Sequence, residues 1–328
     1  MSKVKCIDLK SESGFSVKIL NLGGIINEIM AKDSTGKREN VVLNYSEYDD
    51  YLSNPLYLGC FIGPVAGRTK EGQMIMDDHV LSLDVSDHPN SLHSCKDGLH
   101  NVIWSIKSVT QCQVILTYDS KTIQGNDGEL NYQLTYTVSD ETLTIDLLAT
   151  TTVKTYLSLT NHSYFNLTGN PEQTILAHNL KLNCTEFVRL DSENLPIERM
   201  PIQVAIPDSN SETHIQSILD LKPNIFSNTA GIDHPFKCES INPFVKLSDP
   251  QSGRIMQVTT TQPYVIIYSG NFLHTAQSPS GKQFKQHSGI CFETQDLPNI
   301  VNNKLDTVHF VTPDSPYVQR TSFSFSTT

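Results

Sequence analysis

The sequence predicts an all-β protein, a large antiparallel β-sandwich with few short helices. Apolar and polar residues alternate with a period of two along much of the chain, as they do in strands that bury one face. The clearest alternation covers residues 130–138 and resumes over residues 143–149, after the turn residues Ser139-Asp140-Glu141, which predicts a hairpin. Helix signals are few and short, so helices are not expected to form a layer of their own.

The same alternation recurs more weakly from one end of the chain to the other. It covers residues 15–19 before Gly23-Gly24, residues 114–118, and residues 323–325. Between these strands, Ser46 is expected to cap a short helical turn, and the apolar spacing of residues 215–219 predicts a brief amphipathic helix. We therefore expect two sheets that share one core, with long loops between the strands.

The bulk properties bound the fold and the function. A chain of 328 residues buries roughly three quarters of its unfolded surface on folding. No low-complexity linker or internal repeat divides it, so residues 1–328 are predicted to form a single domain. The formal net charge of −11 has the wrong sign for binding nucleic acid or an anionic membrane surface. A neutral or weakly charged small molecule is the expected partner.

The first residues lack the apolar stretch of a signal peptide, and no later run reaches the ~20 apolar residues of a membrane span. The seven cysteines are scattered, odd in number and never spaced as CxxC, which disfavours a disulfide framework or a thiolate zinc site. We therefore expect a cytoplasmic location.

One segment, residues 159–169, combines side chains that suit a sugar. His162 can exchange a proton near neutral pH, amides such as Asn161 can satisfy hydroxyls, and rings such as Tyr164 and Phe165 can cover the C–H face of a pyranose. Asn161 and Tyr164 are accordingly candidate substrate contacts. Taken alone, these residues fit a core strand with one satisfied histidine more readily than a site.

Arg68 lies in a glycine-framed segment, residues 63–72. Its guanidinium offers a fixed fork of donors, which suits vicinal hydroxyls or a carboxylate. The spacing of the glycines does not match a phosphate-binding loop. A turn carrying an ordinary surface arginine is an equally good interpretation.

Three histidines, His88, His93 and His100, lie close together in the sequence. Their spacing matches no zinc pattern, so no metal site is predicted. His93 follows Leu92 at the edge of a loop, where its ring can point into a cleft.

Two carboxylates stand in contexts that allow chemistry. Asp233 precedes His234-Pro235 in a loop, where it can accept sugar hydroxyls or form an Asx turn. Glu293 lies in a strand-like run, and burial there would raise its pKa; an edge strand facing water is the alternative. A buried strand is predicted to end in the Gly-Asn turn after Tyr268, where Tyr268 and Asn271 could line a site but packing is the favoured role.

Taken together and in order, six segments resemble the aldose 1-epimerases, or mutarotases, of the galactose mutarotase-like β-sandwich family. The resemblance covers nearly the whole chain. The segments are GPVAGR at residues 63–68, NSLH at 90–93 followed by Trp104, NHSYFNL at 161–167, GIDHPF at 231–236, YSGNF at 268–272 and GICFETQ at 289–295.

The resemblance implies a role for each of these residues in the interconversion of sugar anomers. Glu293 would be the base and His162 the acid, with His93 beside the ring oxygen. Arg68 and Asp233 would hold sugar hydroxyls. No metal or organic cofactor is implied, and a monomer or homodimer is expected.

Three positions depart from the commoner family pattern. His93-Ser94-Cys95 stands where His-Gly-Gly is often found. Gly67 precedes Arg68 where asparagine is common, and Ile266 stands where many members have glutamine. The preferred aldose therefore stays open. An epimerase of phosphorylated sugars, a non-catalytic sugar-binding relative, and a glycoside hydrolase using Asp233 with Glu293 are the alternatives.

Overall fold

The computed structural model describes residues 4–76, 79–123, 126–221, 223–238 and 243–328. Strands dominate, and within these ranges no helix is long and apolar enough to cross a membrane. The helices that the structure describes are short. The α-helices are Ile215–Leu221, Pro223–Phe226 and Ile300–Asn303, and the 3₁₀ helices are Tyr48–Ser53, Lys70–Gly72, Cys95–Asp97, Leu99–Asn101, Ile175–Ala177, Ile202–Val204 and Leu273–Thr275.

A nine-stranded sheet forms the larger layer. Its neighbouring strands pair antiparallel. In hydrogen-bonding order the strands are Ser105–Val109, Gln113–Ile123, Asn126–Ser139, Thr142–Thr151, Tyr317–Thr327, Arg254–Thr260, Val245–Ser248, Asn179–Leu182 and Thr213–His214.

A six-stranded antiparallel sheet forms the second layer, and a four-stranded sheet is built from the start of the chain. The six strands are, in order, Tyr164–Phe165, Ile290–Gln295, Tyr264–Tyr268, Asp233–Cys238, Cys184–Leu190 and Pro196–Pro201. The four are Cys6–Lys10, Ser16–Leu20, Ile26–Lys32 and Arg38–Asn40. Two-stranded pairs join Phe61–Ile62 to Thr160–Asn161, Arg68–Thr69 to Ser91–Leu92, Gln73–Met76 to His79–Ser82, and Thr155–Tyr156 to Phe310–Val311.

The hairpin predicted from residues 130–149 is confirmed. Val138 pairs with Leu143 across the two-residue turn Asp140-Glu141. The alternating apolar side chains of both strands are buried, because they all lie on the face that packs against the other sheet. The all-β sandwich with few short helices is confirmed with them.

The helix predicted at residues 215–219 is confirmed as Ile215–Leu221, but the predicted Ser46 cap is wrong. The turn begins one residue later: Glu47 is the capping position, and its side chain makes no capping hydrogen bond. Instead, the turn is held by the buried Tyr51, whose hydroxyl accepts hydrogen bonds from Asn27 Nδ2 and the Tyr45 backbone N–H.

The strand Ile290–Gln295 connects the core to the candidate site. Its even-numbered side chains face the nine-stranded sheet, where Thr294 Oγ1 lies 2.7 Å from Thr321 Oγ1. The rings of the neighbouring Phe165 and Phe323 lie 4.9 Å apart at the same interface. Because strand side chains alternate, Cys291, Glu293 and Gln295 project from the opposite face. Packing of the core therefore fixes the direction in which Glu293 points.

Candidate active site

A cleft of about 260 Å³ lies over the outer face of the six-stranded sheet. All six of its strands contribute residues to the wall, including Tyr164, Glu293, Tyr268 and Asp233. Loops from the first third of the chain close the other side with Tyr57, Gly67, Arg68 and His93, among others. The structure thus brings together residues that lie more than two thirds of the chain apart.

His93 is held by an unusual backbone segment. His93, Ser94 and Cys95 all have positive φ values, of 55°, 61° and 49°. Residues other than glycine rarely adopt this region, and the conformation is retained here because Ser94 Oγ both accepts from the Val65 N–H (2.9 Å) and donates to its carbonyl (3.1 Å). Ser94 and Cys95 thus adopt a left-handed conformation although neither is glycine.

The backbone also fixes the proton of His93. The Gly67 N–H donates to His93 Nδ1 at 3.1 Å, so this nitrogen carries a lone pair. In the neutral ring the proton must then sit on Nε2. His93 therefore presents a hydrogen-bond donor from its free side.

His162 and Glu293 form the central pair. His162 Nε2 lies 3.6 Å from Glu293 Oε1, and both side chains are 6% exposed. Cys291 Sγ lies 3.6 Å from the other ring nitrogen, Nδ1. The rings of His93 and Tyr164 lie 5.4 and 5.0 Å from the His162 ring. The two atoms are too far apart for a direct hydrogen bond but close enough to exchange a proton through one bridging hydroxyl.

Burial controls where the protons of this pair lie. Desolvation raises the pKa of Glu293 well above its usual value, and the Asp233 carboxyl adds to this while Arg68 opposes it. Desolvation lowers the pKa of His162 to about 4. Both shifts favour the uncharged forms, so burial favours the position of a single shared proton on Glu293 rather than on His162 in the free protein.

Arg68 and Asp233 lie at the same cleft. Arg68 Nε donates to Asp87 Oδ2 at 2.7 Å, and its Nη1 lies 3.9 Å from Asp233 Oδ2. Burial raises the pKa of Asp233, and the Arg68 charge opposes that shift. Together they offer hydrogen-bond donors and acceptors to a polyhydroxylated molecule.

Of the other two predicted contacts, Tyr164 lines the cleft and Asn161 does not. The Asn161 side chain turns to the backbone: Nδ2 donates to the Gly59 carbonyl at 2.9 Å, and Oδ1 accepts from the Ser163 N–H. These bonds fix the backbone on both sides of His162. Asn161 thus shapes the loop that carries the histidine.

His93, His162 and Glu293 also have the donor atoms of a metal site. One ligand atom from each lies within 4.8 Å of the others. The Gly67 N–H argues against this use, since it keeps His93 protonated on Nε2, the nitrogen a metal would need. The set suits proton transfer better than metal binding.

Sequence reasoning did not single out Tyr57, Phe272 or Gln295, which also line the cleft. Tyr57 places its ring 4.9 Å from that of His93, and nothing in its sequence neighbourhood signals this contact. Gln295 could have been found, because it follows Glu293 by two residues on a predicted strand. Tyr268, expected to be a packing residue, lies on the wall, whereas Asn271 is fully buried and bonded to the Thr229 and Ile232 carbonyls.

Comparison with solved structures shows the same fold. An aldose epimerase homologue from C. elegans superposes with a TM-score of 0.90 at 22% identity, covering 99% of each chain. A galactose 1-epimerase from Lactobacillus acidophilus superposes with a TM-score of 0.86 at 24% identity, covering 99% of this chain and 95% of the other.

Comparison of sequences is more specific. A galactose mutarotase from Rattus norvegicus is 32% identical over 328 residues, which cover 98% of this chain and 94% of the relative. An aldose 1-epimerase from Haemophilus influenzae is 27% identical over 90% of this chain and 88% of its own. The family model described as aldose 1-epimerase matches residues 5–324. The chain belongs to the aldose 1-epimerase family.

Proposed function

We propose that this protein is an aldose 1-epimerase that interconverts the α and β anomers of free hexoses such as galactose and glucose. The observation that carries the proposal is the buried pair of His162 Nε2 and Glu293 Oε1, 3.6 Å apart on the wall of a cleft. Anomer exchange needs a base at the C1 hydroxyl and an acid at the ring oxygen. One carboxyl group and one imidazole that share a proton supply both.

The proposed reaction begins with the shared proton on His162 and Glu293 as carboxylate. Glu293 takes the proton of the C1 hydroxyl while His162 gives its proton to the ring oxygen, and the C1–O5 bond breaks to give the open aldehyde. Rotation about C1–C2 presents the other face of the carbonyl group. Reclosure reverses both proton transfers, so the enzyme returns to its starting protonation state. The Nε2–H of His93 stabilises charge that develops on the ring oxygen.

The remaining contacts are proposed to hold the sugar. Arg68 and Asp233 bind hydroxyls, and the faces of Tyr164 and Tyr268 cover apolar C–H surface. Asn161 acts through the backbone around His162.

Polarimetry tests the activity. We expect the purified protein to accelerate the optical-rotation change of freshly dissolved α-D-glucose and α-D-galactose at neutral pH, because both sugars present the C1 hydroxyl and ring oxygen that the pair requires. A methyl α-D-glucoside, which has no C1 hydroxyl, is the control and should not change. Rates equal to those of buffer with every free aldose tried would contradict the proposal.

Charge in the cleft argues against an epimerase of phosphorylated hexoses. Arg68 is the one arginine or lysine among the described cleft residues, and its Nε is already bonded to Asp87. Asp233 and Glu293 line the same wall and would repel a dianion if ionised.

We therefore expect kcat/KM for glucose 6-phosphate to fall at least about tenfold below that for glucose, a difference of ~1.4 kcal/mol. Polarimetry on both sugars at matched ionic strength measures it. Equal or higher kcat/KM for the phosphorylated sugar would favour the alternative.

A non-catalytic sugar-binding role is disfavoured because the proton-exchanging pair is intact. A glycoside hydrolase would use Asp233 and Glu293 and leave the two histidines without a role. For the setting in which the enzyme works, we propose the cytoplasm and a monomer or homodimer. The scattered, odd number of cysteines, none of them spaced as CxxC, supports a reducing compartment.

A further inference from the structure

Gln295 occupies a place on the cleft wall that the proposed reaction does not use. It follows Glu293 by two residues on the strand Ile290–Gln295, so both side chains leave the same face about 6.6–6.8 Å apart along the strand. This spacing is comparable to the distance between hydroxyls on opposite sides of a pyranose ring. Gln295 is fully buried and lines the cleft together with Glu293.

The orientation of the Gln295 amide is fixed by one hydrogen bond. Nε2 donates to the Asp296 carbonyl at 3.2 Å, and since a carbonyl can only accept, the amide nitrogen must be the atom that faces it. Gly67 lies beside Pro298 and this amide: a Cβ on Gly67 would lie 2.7 Å from Pro298 Cγ and at an ordinary contact distance of 3.5 Å from Gln295 Nε2. The amide is therefore held in one orientation.

The amide oxygen has no such partner. Among the described residues, no donor bonds to Gln295 Oε1, although the atom is buried. On the neighbouring segment, the Gly67 N–H donates to His93 Nδ1 and Arg68 Nε donates to Asp87. An unsatisfied buried acceptor is costly, and native proteins leave few of them. On a cleft wall, a hydroxyl of a bound molecule can satisfy it.

We infer that Gln295 is a substrate-binding residue whose Oε1 accepts a hydrogen bond from a ring hydroxyl remote from C1. The inference rests on the proposed function, since it takes the sugar to sit with C1 at Glu293. The strand spacing then directs Oε1 to the hydroxyl at C3 or C4. Gln295 would thereby help to select aldoses that carry a donor at that position.

The test combines one variant with a set of deoxy sugars. Gln295→Met keeps the length of the side chain and removes the acceptor. We expect it to lower kcat/KM for glucose about two- to tenfold, the range for one neutral hydrogen bond. With either 3-deoxyglucose or 4-deoxyglucose, the wild type should already show this loss and the variant should add none. The 2-deoxy and 6-deoxy sugars should respond to the variant as glucose does.

Gln319→Met is the matched control. Gln319 is also a buried glutamine whose Nε2 donates to a backbone carbonyl, that of Thr294. It belongs to the strand Tyr317–Thr327 of the nine-stranded sheet and does not line the cleft. This substitution should leave the deoxy-sugar pattern unchanged. If Gln295→Met lowers kcat/KM by the same factor for every sugar, its effect is structural and the inference is overturned.

A sugar-bound crystal structure of the wild type tests the contact without any variant, and so holds even if Gln295→Met does not fold. We expect a sugar hydroxyl within hydrogen-bonding distance of Oε1. A sugar seated with C1 at Glu293 and no hydroxyl at Oε1 would overturn the inference while leaving the proposed function intact. Failure of the wild type to accelerate mutarotation would instead count against the function itself.

Discussion

Replacing Glu293 by glutamine is expected to lower kcat for mutarotation about 10²–10⁴-fold, the usual contribution of one positioned proton transfer. Glutamine has the same shape and can still accept a hydrogen bond, but it cannot take the proton of the C1 hydroxyl. The side chain is buried, and its charge there is disfavoured, so the neutral replacement should not destabilise the fold. Polarimetry with saturating glucose, alongside thermal unfolding, measures both quantities.

A second variant shows whether the two groups work as a unit. His162→Asn should reduce kcat to a similar degree, and combining it with Glu293→Gln should cost little more than either change alone, because one missing partner already stops the coupled transfer. Glu198→Gln is the control. Glu198 is an exposed carboxylate on the edge strand Pro196–Pro201 of the six-stranded sheet, where it forms an ion pair with Arg189. Full activity of Glu293→Gln would refute its role as base.

Much of this fold follows from local pattern. The alternation through residues 130–149 predicts a hairpin with one buried face because the side-chain period of a strand is two, and the register Val138 to Leu143 then follows from the two-residue turn. The direction of Glu293 was less certain. Its strand could have been an edge facing water, but Ile290–Gln295 lies between two other strands of its sheet.

The parts of the site that pattern did not predict depend on contacts between distant segments. Tyr57 reaches His93 and His162 through a loop whose path is set by tertiary packing. The polar neighbours of residue 161 suggested a sugar contact, yet its amide completes backbone hydrogen bonds to Gly59, 102 residues away. Periodicity assigns a face to a side chain on a strand, but it does not say which loop will cover that face.

The protonation of the central pair leads to the second large effect, a loss of activity at both ends of the pH range. The reactive state carries one proton on His162 and Glu293 together. When the pair carries two protons, Glu293 cannot act as a base. When the pair carries no proton, His162 cannot act as an acid. The proton can be on either group, and these two one-proton forms have the same charge. The pH profile therefore reports only the loss of the one-proton state at low and at high pH.

We expect kcat/KM for glucose to be level between the lowered pKa of His162 and the raised pKa of Glu293. It should fall as the pH drops towards about 4, where His162 gains a proton while Glu293 keeps its own, and fall again above the raised pKa of Glu293. Each limb should approach a tenfold loss per pH unit. Polarimetry corrected for the uncatalysed rate at each pH measures the profile, with a glucose concentration well below KM.

The acid limb needs a stability control because burial lowers the pKa of other histidines too, including His178 and His234, to about 4. A histidine whose pKa is lower in the folded than in the unfolded state contributes stability above pH 6.5 that is lost as the pH falls from 6.5 towards 4, since the unfolded chain binds more protons there. Circular dichroism at each pH separates unfolding from titration of the site. If kcat/KM of the folded protein instead began to fall already below pH 6.5, His162 would titrate as a solvated imidazole. That outcome would contradict the lowering of the His162 pKa by burial, on which the predicted position of the acid-side fall depends.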